Sequence, residues 1–497
     1  MNNYNNILTS LHLSPLPVDK AAAAGIYFLG IGGIGMSALA RYFNSIGVKV
    51  SGYDKTSTPL TQQLIAEGIN IHFEDSMELV DKTVQLVIYT PAVPKDHKEL
   101  NYYQQNNYKV IKRSDVLQAI TSNSFNICVA GTHGKTTTST MVAHILTHSG
   151  FGCNAFLGGI AVNYNTNFWG SDKNVGVVEA DEYDRSFLKL SPDVAVISSM
   201  DADHLDIYGT AENMEQAFID FSARIKPGGL LLSKFGLKRV TELKGDMHFT
   251  YHLDNKNADV YAANIKMNNG SYIFDVVSSI EPLFAGQGGR ILKNVVLNMG
   301  GLHNIENVLA AISVAHYLKI DDDKIVSAVA AFKGVKRRFE YIVKTDKLVY
   351  IDDYAHHPEE LRALITGAKK LFGKKKCIVI FQPHLFSRTK DLADGFAEVL
   401  DLADEIILLP IYPARELPME GVSSEMITER MQSEYKMVLS KDNLLKHLRQ
   451  EKEAHVEEGF EGSLIISAGA GDIDTLIEPI KKIVTAGKYK NDIEMGI

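Results

Sequence analysis

Short apolar runs alternate with stretches of helical period along most of the chain, the pattern of parallel sheets covered by helices. Gly25 to Leu29 is the first apolar run; glycines follow it, then a helix-like stretch from Met36 to Ile46. Val48 to Ser51 predicts a second strand running into Gly52-Tyr53-Asp54, and Leu86 to Tyr89 another ending at Thr90-Pro91. A new series begins near Asn126. Ile127 to Ala130 predicts a strand, and Val142, Ile145 and Leu146 share one face of the helix after it, with Gly150 as its stop. Val175–Val178 and Val194–Ser198 read as two more strands, each followed by acidic residues. Residues 245–300 alternate in short segments and predict antiparallel strands; a helical pattern from Asn304 to Leu318 follows. Beyond Gly334, strand-like runs at 348–351, 377–381, 405–409 and 463–467 alternate with helical patterns. Pro358 suits the first turn of one of these helices, and Leu392, Phe396, Val399 and Leu400 mark the inner face of another. Residues 1–20 show no sustained period and read as a flexible tail.

The length of 497 residues suggests about three domains. The pattern sets them at 21–122, 123–333 and 334–497. With 51 Lys and Arg against 60 Asp and Glu the net charge is −9, which excludes a surface built to coat nucleic acid or anionic lipid. Polyanions must then be met by local cations and backbone N–H groups. Cys128, Cys153 and Cys377 are far apart and form no C-x-x-C pair, so a disulfide framework and a zinc cluster are excluded and a reduced, cytoplasmic setting is expected. Ala21 to Ala40 carries no charge and is long enough to span a bilayer, but five glycines interrupt it.

Those glycines form the first motif. Gly30-Ile31-Gly32-Gly33-Ile34-Gly35 is a G-x-G-x-x-G between strand and helix, with Asp54 at the end of the next strand. Such glycines permit a tight turn and let a diphosphate approach backbone N–H groups, while the acid can accept from ribose hydroxyls. A dinucleotide or a nucleotide-sugar fits, and so does a bare glycine turn. The second motif runs Gly131-Thr132-His133-Gly134-Lys135-Thr136-Thr137-Thr138. It lacks one glycine of the full phosphate-loop pattern, having Val129 there, but Lys135 can reach β- and γ-phosphates and the Thr136 hydroxyl can hold Mg²⁺. Glu179-Ala180-Asp181-Glu182 and Asp201-Ala202-Asp203-His204 follow the two strands mentioned above, well placed to hold a metal beside that loop. A third cluster is cationic and imidazole-rich: Lys336-Arg337-Arg338, Asp353 with His356-His357, His384 with Arg388, and Arg415. Together they can bind carboxylate or phosphate.

With these residues in order, the chain resembles the Mur ligases of bacterial peptidoglycan synthesis, most of all their alanine-adding branch. GIGGIGMSALA from Gly30, GTHGKTTT from Gly131, EADEYDRSFL from Glu179, DADHLDIYG from Asp201, GLHNIENVLAA from Gly301, DDYAHHPEE from Asp352 and FQPHLFSRTKD from Phe381 carry the likeness. It implies an α/β protein of three domains: a Rossmann-like UDP-substrate domain, a P-loop ATPase-like central domain, and a Rossmann-like C-terminal domain that swings over the site. It implies ATP, Mg²⁺, UDP-N-acetylmuramate and L-alanine as ligands, in a cytoplasmic enzyme that is a monomer or weak homodimer with neither nucleic acid nor membrane as partner. By this likeness Gly30, Gly32, Gly33, Gly35, Met36, Ser37, Asp54 and Thr90 bind the UDP-substrate. Gly131 to Thr137, Asn304, Asn307, Arg338 and Asp353 bind ATP; Thr136, Glu179 and His204 hold metal; His356, His384 and Arg388 grip the amino acid. Lys135, Glu179, His204 and Arg338 form the catalytic set. Many alanine-adding members have Arg where this chain has Leu385, which leaves more of the carboxylate contact to Arg388. Residues 205–225 contain no Lys, so no carbamylated lysine is expected. Three rivals stand beside this reading: a ligase attaching a whole tripeptide, a nicotinamide-dependent dehydrogenase resting on the first motif alone, and a non-catalytic nucleotide sensor.

Overall fold

The computed structural model describes residues 4–13, 25–201, 205–279, 290–414, 416–451 and 460–486. The described strands fall into three sheets in chain order. The first holds β1 (Gly25–Leu29), β2 (Lys49–Tyr53), β3 (Asn70–His72), β4 (Val84–Tyr89) and β5 (Lys109–Lys112). They are all parallel, in the order β3-β2-β1-β4-β5. Every residue of β1 is buried, which is why its sequence is apolar without alternation. Strand order reverses between β1 and β4, so the glycine turn after β1 opens at the carboxyl-end crevice where such sheets take ligands.

The second sheet holds β6 (Phe125–Ala130), β7 (Asn154–Ala161), β8 (Thr166–Trp169), β9 (Val175–Glu179), β10 (Val194–Ile197), β11 (Leu230–Lys234), β12 (Met247–His252), β13 (Val260–Asn268), β14 (Ser271–Ser278) and β15 (Arg290–Leu297). Its order is β15-β14-β13-β12-β11-β10-β6-β9-β7-β8. β6 lies between β10 and β9 and is parallel to both, so the ends of these two strands flank the loop that follows β6. Residues 245–300 do form strands, but β12 pairs in parallel with β11 and β13, not antiparallel as expected. The long connection from Lys234 to Met247 returns the chain to the same end of the sheet, which a short hairpin cannot do.

The third sheet holds β16 (Glu340–Lys344), β17 (Leu348–Asp353), β18 (Lys376–Phe381), β19 (Glu405–Leu408), β20 (Lys436–Val438) and β21 (Ser463–Ala468), in the order β16-β17-β21-β18-β19-β20. Only β16, at the edge, is antiparallel to its neighbour. Pro358 opens the helix Pro358–Leu371, as its fixed φ and missing N–H favour.

The chain packs as two compact units: Met1–Asn264 with Phe274–Val295 and Ile305–Phe332, and Ile265–Ile273 with Val296–Asn304 and Lys333–Ile497. The division falls within β13, β14 and β15, so the first sheet and β6 to β12 of the second share one unit. One apolar cluster in it runs from Phe28 of β1 through Phe43 to Phe156 of β7 and Phe218. The tail expected over residues 1–20 is corrected for residues 4–13. Tyr4–Ser10 is a helix, and Ile7, Leu8, Leu11 and Leu13 are buried in that cluster. Ile7, Leu8 and Leu11 line one face, a signal too short to outweigh the asparagines around it. Of the uncharged run, residues 25–40 form a strand, a turn and the start of the helix Ile34–Ser45. Among the described residues no helix is long and apolar enough to cross a membrane.

Candidate active site

The phosphate loop is built by conformation first. Gly131 and Gly134 have φ of +135° and +82°, a region that suits glycine, and Gly134 caps the helix Lys135–His148. A Cβ on Gly131 would collide with Ser198 Oγ, and one on Gly134 would lie 2.7 Å from Asn307 Oδ1. The hydroxyls of Ser198 and Ser199, at the end of β10, bind this loop. His133 N donates to Ser199 Oγ at 2.7 Å, the Thr132 and Ser199 hydroxyls are 2.8 Å apart, and Ser198 Oγ donates to His133 O. The loop is thus braced before any ligand arrives.

Lys135 and Thr136 each meet an acid from β9 or its continuation. Lys135 Nζ donates to Gly131 O and to Glu182 Oε1, both at 2.7 Å, and the Glu182 side chain is 2% exposed. Thr136 Oγ1 donates to Glu179 Oε1 at 3.1 Å, and Gly158 N to Glu179 Oε2 at 3.0 Å. Thr136, in the first turn of a helix, and Glu179, at the end of β9, are hard oxygen donors, a fit for a magnesium ion that takes its remaining ligands from phosphate and water. Among the described residues no three His, Cys, Asp or Glu side chains converge as a metal cage. His204 and Arg415 lie outside the described residues. Asn307 accepts from Thr138 Oγ1 at 3.1 Å and braces the loop's helix, while Asn304 is buried and donates to Gly300 O at 2.6 Å. Thr137, between Thr136 and Thr138, is buried.

In the first sheet, Gly30 has φ +81°, and the N–H groups of Gly30 and Ile31 both donate to Tyr53 O. Asp54 is partly spent: Oδ2 accepts from Gly32 N at 2.7 Å and Oδ1 from Thr56 N at 3.2 Å. It pins the glycine turn, and only its remaining lone pairs are available to a ribose. Thr90 overhangs Gly30, whose Cβ would come 2.8 Å from Thr90 Cγ2. Met36 and Ser37 turn away from solvent: both are buried, and Ser37 Oγ accepts from Asn167 Nδ2 of β8 at 2.9 Å.

In the second unit the three residues expected to grip the amino acid come together. Arg388 Nη1 lies 3.3 Å from His384 Nδ1, and the His384 and His356 ring centroids are 6.2 Å apart. His384 stacks on Tyr412 at 5.8 Å. Burial, then Arg388 and His356, lower the His384 pKa, so a neutral ring accepts from the guanidinium and leaves its other N–H groups open. Leu385 has φ +71° and heads the helix Phe386–Leu400, its N–H donating to Tyr412 O at 2.9 Å. Arg338 is exposed, whereas Arg337 is tied to Asp352 at 3.1 Å. Asp353 accepts from Phe339 N at 2.6 Å and Ala355 N at 2.8 Å.

Burial pushes both Asp352 and Asp353 up to about 6, against the pull of Arg337 on the first and of backbone N–H donors on the second. A carboxyl group raised in the folded state stabilises fully below its unfolded pKa, and that contribution is lost as pH rises through about 6. The melting temperature of Asp352→Asn relative to the native chain is therefore expected to climb between about pH 5 and about pH 7. A difference that stays flat over that range would show that Asp352 titrates alike in both states.

Three family models cover most of the chain: "Mur ligase family, catalytic domain" over residues 25–125, "Mur ligase middle domain" over 129–315, and "Mur ligase, glutamate ligase domain" over 337–471. The UDP-N-acetylmuramate–L-alanine ligase of Flavobacterium johnsoniae is 46% identical over 92% of this chain and 97% of its own length. The chain belongs to the Mur ligase family. A second relative of the same name, from Porphyromonas gingivalis, is 46% identical over 92% of this Mur ligase and 98% of its own length. The crystal structure of UDP-N-acetylmuramate-alanine ligase MurC from Thermotoga maritima superposes with a TM-score of 0.74 at 28% identity, covering 94% of this chain and 99% of that one. A murein peptide ligase from Psychrobacter arcticus shares the fold, with a TM-score of 0.64 at 23% identity. Mur ligases carry out ATP-dependent ligation in peptidoglycan precursor synthesis, and this one has their three α/β domains.

Sequence reasoning missed four groups of this Mur ligase's site. Glu182, partner of Lys135, was visible within Glu179-Ala180-Asp181-Glu182, but nothing in the spacing distinguished its role from that of Glu179. Of the serine pair 198–199, only Ser198 falls in the predicted strand Val194–Ser198, and nothing in the sequence points Ser199 at the loop. Tyr412 and Arg113 carried no signal, because each meets its partner only through the fold.

Proposed function

We propose that this ligase joins L-alanine to the lactyl carboxylate of UDP-N-acetylmuramate while ATP is cleaved to ADP and phosphate, in the cytoplasm. The observation that carries this reading is the placement of Lys135 and Thr136 at a helix N-terminus against Glu182 and Glu179, in the same compact unit as the glycine turn. The names of the relatives support the choice of substrates. Residues 21–122 are assigned to the UDP-substrate, 123–333 to ATP and 334–497 to the amino acid.

A carboxylate is a poor electrophile and amide formation in water is uphill. In this reading the carboxylate oxygen attacks the γ-phosphorus, the bond to the β-phosphate oxygen breaks, and an acyl phosphate and ADP result. Two anions must approach each other, so Lys135 moves from Glu182 toward the phosphates, and the braced loop N–H groups hold them without reorganising. Magnesium, when bound, supplies neutralisation of phosphate charge; Thr136 and Glu179 would hold it, with His204. The alanine amine then attacks the acyl carbon and phosphate leaves. That amine must be neutral. His356 Nδ1 lies 2.9 Å from Tyr354 O, which can only accept, so the ring's proton sits on Nδ1 and Nε2 is free to act as a base. Arg388, oriented by His384, takes the amino-acid carboxylate.

Two measurements test this. Phosphate release from ATP should require UDP-N-acetylmuramate and be supported by alanine; a preference for a tripeptide acceptor would move the chain to the peptide-adding branch, and turnover of NAD(P)H would defeat both. Arg388→Ala should raise the KM for alanine by about tenfold or more while the KM for ATP changes little. An unchanged alanine KM would remove Arg388 from the site.

A further inference from the structure

The helix Arg113–Ser122 begins directly after β5, at the carboxyl edge of the first sheet. Its first residue reaches back across two features of the site. A Cβ on Gly35, the last glycine of the first motif, would collide with Arg113 Nη1, so the absence of a side chain there makes room for the guanidinium. On its other side Arg113 Nη2 donates to Asp181 Oδ2 at 3.1 Å, two residues beyond Glu179. Arg113 is 26% exposed in this position. It lines a pocket together with Gly35, Phe156, Gly158, Glu179 and Asp181, and among the described lining residues it is the one cation. Glu179, on the pocket's wall, is also the group that Thr136 Oγ1 touches. The pocket therefore runs from the glycine motif to the edge of the phosphate loop within a single compact unit.

We infer that Arg113 binds the reacting carboxylate of the sugar nucleotide and holds it between the glycine turn and the phosphate loop. This rests on the function proposed above, which requires a carboxylate tethered to the UDP moiety to reach the γ-phosphoryl group. A carboxylate entering this pocket faces Glu179 and Asp181 and is repelled by both. A guanidinium can hold Asp181 and a second carboxylate at once, because its five N–H donors lie in a planar fork and Asp181 engages one nitrogen. The competing role is a clamp: the Arg113–Asp181 pair would simply tie the first sheet's domain to the second's.

Binding of UDP-N-acetylmuramate and of its neutral lactamide analogue, measured by calorimetry with ADP and Mg²⁺ present, separates the two roles. In Arg113→Ala the preference for acid over amide should fall about tenfold or more, mostly through weaker binding of the acid. Arg113→Lys retains a charge for Asp181 but loses the fork, and its preference should also fall. If both ligands weaken in parallel, or if the preference stays at the native value in both variants, Arg113 is a clamp and the inference is wrong. Should Arg113→Ala fail to fold, the Arg113→Lys ratio decides alone. A native protein that binds neither ligand would instead overturn the proposed function, leaving a distinct signature.

Discussion

Replacing Lys135 by alanine is expected to lower ligation by roughly a thousandfold or more while UDP-N-acetylmuramate binds nearly as before. The two halves of that expectation have different origins. Loss of turnover follows from charge: an anionic nucleophile must approach a triphosphate, and Lys135 is the cation at the head of the loop's helix. Retained binding follows from position, since the glycine turn lies after β1 of the first sheet and the phosphate loop after β6 of the second. A further consequence concerns Glu182. Its side chain is 2% exposed and paired with Lys135 at 2.7 Å, so the alanine variant leaves a buried carboxylate without its cation. That costs stability, on the order of 3–5 kcal/mol where such pairs are broken one-sidedly. Lys135→Ala combined with Glu182→Gln should recover thermal stability without recovering activity. Equal loss of sugar-nucleotide binding and turnover in the single variant would mean that the two sites are not separate.

Glu179→Gln is expected to have the second largest effect, a loss of roughly a hundredfold in phosphate release at ordinary magnesium concentration. The substitution keeps shape, and its amide oxygen can still accept from Thr136 Oγ1 or Gly158 N, which Glu179 now binds at 3.1 and 3.0 Å. Only the charge goes. The variant should therefore fold normally and regain part of its activity as magnesium is raised, because the lost ligand lowers metal affinity before it changes the chemistry. Activity that is low and independent of magnesium would assign Glu179 to bracing the loop alone. The tight fit at Gly158, where a Cβ would strike the Glu179 carboxylate, gives a companion test: Gly158→Ala should displace Glu179 and show the same magnesium dependence.

Much of this was legible in the residues themselves. Apolar runs located β1, β6, β9, β10, β17, β18, β19 and β21, because strands buried in parallel sheets must be apolar on both faces. The glycine spacing and the Lys135-Thr136 pair announced phosphate chemistry, since left-handed φ and unpaired helix N–H groups are local properties that local sequence dictates. Edge strands were harder. β3, β5, β16 and β20 are short or half-exposed and carry no continuous apolar signal. The N-terminal helix carries a weak signal because only Ile7 and Leu8 within it, with Leu11 and Leu13 just after it, are buried, in a segment otherwise rich in Asn.

What the sequence by itself determined is which donor groups the chain carries: a glycine turn suited to a diphosphate, a phosphate-loop pattern with Lys135 and Thr136, strand-end acids suited to a metal, and a cluster with His356, His384 and Arg388 suited to a carboxylate or a phosphate. Only the tertiary structure decided the pairings. It set Lys135 on Glu182 and Thr136 on Glu179, used Asp54 to pin the glycine turn, buried Met36 and Ser37, and brought Arg113 between Gly35 and Asp181. The reason is physical. Residue type and spacing set donor chemistry and backbone conformation within a few residues. Which carboxylate meets which cation depends on strand order, and strand order is chosen by burial over the whole sheet.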